Sequence, residues 1–133
     1  MIGLILAAHG HFGRELLEAV EHIMGGIDNV EVVTQNDEDG RKELMERIEE
    51  KIVLMDLDQG ILVLTELFGS TLSNVVLSLL EKYRGKKIRV VTGMNLPMLM
   101  ELAINRNLED LDQLASRIEN AGLKSIKNIS SNN

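Results

Sequence analysis

Apolar runs alternate with amphipathic stretches along this chain. Two long apolar runs cover residues 2–8 and 60–65, and two shorter ones cover residues 30–33 and 88–92. Between them, Leu, Ile, Val and Met recur at intervals of three or four residues, which is typical of helices with one buried face. The pattern therefore predicts the order βαβαβαβαα.

The local signals for helix ends support this order. Ser70 or Thr71 is a plausible N-cap for the third helix, and Pro97 is well placed at the start of the fourth. The last helix is predicted from Leu108 to a stop at Gly122. Residues 123–129 are compatible with a short final strand, and residues 130–133 are predicted to form a mobile tail after a single domain of residues 1–129.

Strands alternating with helices predict an α/β fold, with an open, doubly wound and mainly parallel sheet. Strands that are apolar on both faces are expected where helices cover both sides of a sheet. With right-handed crossovers, the most economical strand order is 2-1-3-4. The switch point then lies between the first and third strands, and ligands bind at the carboxyl ends of strands at such a point.

Composition narrows the functional classes. The 133 residues include no Cys, which excludes disulfides and thiolate metal sites and agrees with a cytoplasmic protein. Aromatic content is 2%, so the core must be aliphatic. The formal charge of −7 argues against non-specific binding to nucleic acid or to an anionic membrane surface.

Two titratable side chains end the strands at the switch point. His9 follows the first apolar run and Glu66 follows the third. A carboxylate that accepts a hydrogen bond from one ring nitrogen leaves the other nitrogen unprotonated and nucleophilic. We therefore predict that His9 accepts a phosphoryl group and that Glu66 orients it, while Gly10, Ser70 and Thr71 surround the phosphoryl group near a helix N-terminus.

Other chemistries find less support in the sequence. His9 and His11 are two residues apart, but no third metal ligand lies nearby, so no metal is expected. His11 and His22 are interpreted as surface residues. The chain has neither a dinucleotide-binding fingerprint nor a P-loop, so no nucleotide or other cofactor is expected.

Three segments of the chain resemble the IIA component of the mannose-family phosphotransferase system (PTS). They are AAHG at residues 7–10, LTELFGST at residues 64–71 and TGMNLPMLMEL at residues 92–102. The resemblance implies that His9 takes a phosphoryl group from the phosphocarrier HPr and passes it to a IIB component during sugar uptake. It also implies a homodimer with exchanged, antiparallel C-terminal strands, and contact with the membrane only through the IIC and IID components.

The chain departs from the family pattern at two places. The partner of the active histidine is usually an aspartate, and here the matching position is Glu66, which is one methylene longer. The family often shows a Gly-Gly-Ser-Pro run where this chain has Gly69, Ser70, Thr71 and Leu72. One fewer glycine makes the loop backbone less free to wrap a phosphoryl group.

Two alternatives to the transport phosphocarrier remain open from the sequence. The first is a regulatory module with the same phosphohistidine, as in the phosphocarrier domains of dihydroxyacetone kinase systems. The second is a non-covalent binder of a small ligand on a flavodoxin-like fold. A receiver domain fits poorly, because it needs an acidic pair after the first strand and an aspartate after the third.

Overall fold

The computed structural model describes residues 1–132, with side chains described up to Ser130. Its four strands are β1 (Gly3–His9), β2 (Val30–Gln35), β3 (Ile61–Thr65) and β4 (Ile88–Val91). Five helices follow the strands: α1 (Phe12–Met24), α2 (Arg41–Val53), α3 (Thr71–Lys82), α4 (Leu96–Asn105) and α5 (Leu111–Lys124). A short 3₁₀ helix, Ile129–Asn132, ends the described chain.

The sheet is parallel throughout and has the order β2-β1-β3-β4, which confirms the predicted topology. The two central strands are buried on both faces, apart from His9 at the end of β1, which explains their uninterrupted apolar sequences. The edge strands β2 and β4 are only partly buried.

Two aliphatic clusters cover the two faces of the sheet. One packs α1, α4 and α5 against the face that includes Leu4, Leu6 and Leu62. The other packs α2 and α3 against the opposite face, which includes Ile5 and Val63. Every second residue of a strand faces the same side, so each central strand contributes to both clusters.

A buried arginine joins the amino end of β1 to the segment before β2. Arg106, directly after α4, donates hydrogen bonds to the carbonyl oxygens of Ile2 at 2.8 Å, of Asn29 at 2.6 Å and of Asp28. Burial lowers the pKa of its guanidinium to about 10, so the group remains charged at neutral pH. Three carbonyl acceptors compensate in part for removing this charge from water.

The C-terminal part differs from the prediction in two ways. Leu108 is exposed and precedes α5, and Gly122 lies inside α5 instead of ending it. A Cβ at Gly122 would lie 2.8 Å from Met98 Sδ. Gly122 therefore allows α4 and α5 to approach closely, a role that local sequence cannot distinguish from a helix stop.

No strand forms at residues 123–129 within the single chain. Leu123 and Lys124 complete α5, and residues 126–128 have no regular structure. An exchanged strand involves a second copy of the chain and stays a prediction. The mobile tail predicted for residues 130–133 includes Asn133, which lies outside the described residues.

Candidate active site

The histidine and the carboxylate predicted from the sequence meet at the carboxyl edge of the sheet. His9 is the last residue of β1, and Glu66 directly follows β3, its neighbour in the sheet. Glu66 Oε1 accepts hydrogen bonds from the backbone N–H of His9, at 2.5 Å, and from His9 Nδ1. The longer glutamate side chain therefore makes the contact expected of an aspartate in the family that the sequence resembles.

The two side chains differ in their exposure to solvent. The side chain of His9 is 50% exposed, whereas that of Glu66 is 18% exposed. Within the described residues no group forms a hydrogen bond to His9 Nε2. The half-exposed imidazole is thus held at Nδ1 by a partly buried carboxylate, and its Nε2 is left without a partner among these residues.

A turn directly after β1 sets the direction in which the chain leaves His9. Gly10 has a φ of 51°, a left-handed conformation that glycine adopts without a steric penalty. Its N–H donates to the carbonyl oxygen of Gln35 at 2.9 Å. Gly10 therefore continues the pairing of β1 with β2 while the chain turns into α1.

The loop after Glu66 leads into the N-terminus of α3. Gly69 has a φ of 87°, and the Oγ of Ser70 caps the helix by accepting a hydrogen bond from the N–H of Ser73 at 3.1 Å. The same hydroxyl donates to the carbonyl oxygen of Leu67 at 3.0 Å. The Ser70 hydroxyl is thus engaged in capping, as the sequence suggested, and its side chain is occupied before any ligand arrives.

The first turn of α3 contains unpaired amide groups. The N–H groups of Thr71 and Leu72 have no acceptor in residues 1–132, and a helix N-terminus carries a partial positive charge. Thr71 is exposed, whereas Leu72 is buried. No hydrogen bond links Ser70 or Thr71 to His9 in that same range. The structure thus joins His9 to Glu66 directly, and it places Ser70 and Thr71 at the end of the loop that follows Glu66.

The other two histidines and two buried methionines lie outside this pair. His11 occupies the N-cap position of α1 without capping it, and His22 is exposed on the same helix. Met94 and Met98 are buried in the core, and the N–H of Met94 donates to the carbonyl oxygen of Thr65 at 2.9 Å. This bond ties the loop after β4 to the strand end that precedes Glu66.

The sequence analysis did not single out Gln35 and Thr65, although each closes a strand adjacent to β1. The signal was present, because each is a polar residue that ends an otherwise largely apolar run. In the described part of the chain, no group of three or more His, Asp or Glu side chains is arranged to hold a metal ion. No helix there combines the length and apolar character needed to cross a membrane.

Comparison with known proteins identifies the family. Residues 3–119 match the family described as PTS system fructose IIA component, EIIA-man. The chain is 34% identical over 115 residues to the sorbose-specific EIIA component of Lacticaseibacillus casei, covering 86% of this chain and 81% of that one.

Solved structures agree with this match. An EIIA component from Streptococcus agalactiae superimposes with a TM-score of 0.90 and 31% identity, covering 98% of this chain and 99% of the other. A mannose/sorbose-specific IIA subunit from Enterococcus faecalis superimposes with a TM-score of 0.87 and 28% identity, covering 96% of this chain and 93% of the other. The fold and the match over residues 3–119 define a phosphotransferase-system protein. The chain belongs to the mannose family of its IIA components.

Proposed function

We propose that this chain is a phosphocarrier that accepts a phosphoryl group from HPr on His9 and passes it to a IIB component during sugar uptake. The observation that carries this proposal is the bond between His9 Nδ1 and Glu66 Oε1. Family membership supports the choice of partners, because PTS components act in series. We place the chain in the cytoplasm, with contact to the membrane only through the IIC and IID components.

The pairing with Glu66 determines which nitrogen reacts. A carboxylate can only accept hydrogen bonds, so Nδ1 carries the proton and the neutral ring has its lone pair on Nε2. The ring that carries this nitrogen is half exposed, so a partner protein can approach it. His9 Nε2 is therefore the proposed acceptor atom.

The phosphoryl transfer can be written without a metal or a nucleotide. The Nε2 lone pair forms a bond to phosphorus while the bond from phosphorus to the HPr imidazole breaks, and that electron pair returns to the HPr nitrogen. The His9 ring then bears a positive charge, with its Nδ1 proton still directed at Glu66, whose negative charge stabilises the product. The N–H of Thr71, at the exposed start of α3, is proposed to receive a phosphoryl oxygen.

We further propose that the chain acts as a homodimer. β4 is the terminal strand of the sheet, and beside it lies a groove of about 260 Å³ whose lining includes Phe68, Leu77 and Val91. Three apolar side chains at the end of α5 and after it are exposed in the single chain: Leu123, Ile126 and Ile129. Exchange of the C-terminal segments would bury these side chains against a partner subunit.

Intact mass after incubation with enzyme I, HPr and phosphoenolpyruvate tests the acceptor. We expect one added phosphoryl group in the wild type, stable to base and lost in mild acid, and none in His9→Ala. His22 lies exposed on α1, so His22→Ala is the matched control. This variant should be phosphorylated like the wild type. Absence of added mass in the wild type, with another IIA component labelled in parallel, would refute the phosphocarrier function.

Discharge by the IIB component separates transport from regulation. We expect the phosphorylated chain to lose its phosphoryl group on addition of IIB, with a matching mass gain on IIB. A phosphorylated chain that no IIB component discharges would favour the regulatory module instead. A non-covalent ligand binder would show no phosphorylation at any stage.

A further inference from the structure

The chain leaves α5 at the carboxyl edge of the sheet, where the candidate site lies. A Cβ at Gly122, near the end of α5, would lie 3.5 Å from the side chain of Asn95. Asn95 caps α4, the helix that follows β4 and therefore begins at this edge. Residues 125–132, which we call the C-terminal segment, thus start at the same edge as His9 and Glu66.

A groove along the outer edge of β4 reaches the loop that follows Glu66. Its lining includes Leu77 of α3, Val91 of β4 and Phe68 of that loop. Phe68 is the second residue after Glu66, and its side chain is 73% exposed in the single chain. Leu67 beside it is 58% exposed. The loop therefore presents two apolar side chains that the single chain leaves largely uncovered.

The same loop connects the two parts of the candidate site. Glu66 holds His9 at the start of the loop, and the N–H of Thr71 follows its end. The hydrogen bond from the Ser70 hydroxyl to the carbonyl oxygen of Leu67 closes the loop on itself and does not attach it to the sheet. Packing of the exposed apolar side chains would therefore restrain both parts of the site.

A second copy of this chain carries an element that fits the groove. Ile126 and Ile129 of the C-terminal segment are 82% and 80% exposed, so they do not pack on their own chain. Eight extended residues reach about 26 Å, roughly twice the length of β4, so the segment can pair along its outer edge. The one charged residue of the segment, Lys127, is positive, whereas Glu119 in the groove lining is negative.

We propose that the C-terminal segment of a second copy lies in this groove, packs on Phe68 and completes the phosphoryl-transfer site by positioning the loop between Glu66 and Thr71. This inference rests on the proposed phosphocarrier function and homodimer. Exchange about a two-fold axis is reciprocal, so each site depends on the other subunit. A single chain keeps the pair of His9 and Glu66 but holds the loop less firmly, and a small misplacement of a reacting group slows transfer.

Complementation between two variants tests whether the segment acts on the other subunit. Ile126→Asp keeps His9 and the groove but has a defective segment, so we expect saturating phosphorylated HPr to phosphorylate it about tenfold more slowly than the wild type. Excess His9→Ala accepts no phosphoryl group but supplies an intact segment, and it should restore most of the lost rate. His9→Ala combined with Ile126→Asp is the matched control and should restore none. Rapid quenching followed by intact mass measures each rate.

The two phenylalanines of the chain test the receiving groove. Phe68→Ala should be phosphorylated about tenfold more slowly at saturating phosphorylated HPr, with an unchanged KM. Excess His9→Ala should not restore its rate, because the defect lies in its own groove. Phe12→Ala is the matched control, since Phe12 is also exposed and lies three residues after His9, but does not line the groove in residues 1–132. It should be phosphorylated like the wild type.

Each contrary result has a separate meaning. Wild-type rates in Ile126→Asp or in Phe68→Ala would overturn the inference and leave the phosphocarrier function standing. Failure of His9→Ala to restore the rate of Ile126→Asp would also overturn it, because the segment would then act within its own chain. An equal loss in Phe12→Ala, or a raised KM as the only change in Phe68→Ala, would replace positioning by contact with HPr. A wild type that gains no phosphoryl group would overturn both proposals.

Discussion

At the scale of single residues, the site depends on one carboxylate that holds both the main chain and the side chain of His9. Glu66 Oε1 accepts from the His9 backbone N–H and from Nδ1, so it fixes the strand end and the ring together. A partly buried position reduces competition from water for these bonds. The extra methylene of glutamate relative to the family aspartate is accommodated without losing the contact.

The charge of Glu66 should matter more than its length. We expect Glu66→Gln to slow phosphoryl transfer from HPr about 100-fold, because the amide no longer stabilises the positive ring, and Glu66→Asp to be less impaired. Rapid-quench kinetics with phosphorylated HPr measures both. Glu38→Gln, an exposed carboxylate in the loop after β2, is the control, and an equal effect there would argue for a general electrostatic cause.

At the scale of elements, Arg106 joins the end of α4 to β1 and to the segment before β2. We expect Arg106→Ala to reduce the free energy of unfolding by about 2–4 kcal/mol, because three buried or partly buried carbonyl groups lose their donor. Urea denaturation measures this loss. Arg117→Ala removes ion pairs of an exposed arginine with Glu101 and Glu109 and should cost much less. An equal cost for both variants would contradict the role given to Arg106.

The contact between α2 and α3 makes stability depend on pH. Hydrogen bonds from Lys82 and Tyr83 hold the pKa of Glu49 below its ordinary value. A lowered pKa stabilises the folded state above the unfolded pKa of about 4.3, and this contribution is lost as pH falls through the folded pKa.

We therefore expect Glu49→Gln to lose less stability than the wild type when pH is lowered from 6 to 3. Urea midpoints at each pH provide the measurement. The control is Glu50→Gln, which changes an exposed carboxylate on the same helix and should follow the wild-type curve. Parallel curves for wild type and Glu49→Gln would exclude this contribution.

At the scale of the whole molecule, the exposed apolar side chains after α5 and the open edge of β4 predict self-association. Ile126 and Ile129 are 82% and 80% exposed in the single chain. We expect sedimentation equilibrium to give a homodimer for the wild type and a monomer for Ile126→Asp, since a charge there cannot be buried against a partner. The control is Val53→Asp, which changes a 76% exposed residue at the end of α2 and should remain dimeric. A monomeric wild type would refute the homodimer.

Much of the architecture follows from local sequence. Continuous apolar runs identified the strands, and the order of elements together with right-handed crossovers led to the correct order β2-β1-β3-β4. Of the two caps that the sequence offered for α3, Ser70 or Thr71, the structure selects Ser70. Two residues were interpreted wrongly. In sequence alone, a glycine that allows close helix packing, such as Gly122, cannot be told from a helix stop. Likewise, an exposed leucine before a helix, such as Leu108, cannot be told from a buried helical position.

The sequence by itself determined where the two central strands end and which side chains lie there, because apolar periodicity and turn residues act over a few positions. Only the tertiary structure decided that Glu66 accepts from Nδ1 of His9, 57 residues away, and that Arg106 bonds to Ile2 across 104 residues. It also decided that Gln35 and Thr65 end on the face of His9 with side-chain oxygens that have no partner among the described residues. Such relations depend on register and burial, which arise only when distant strands pair and exclude water.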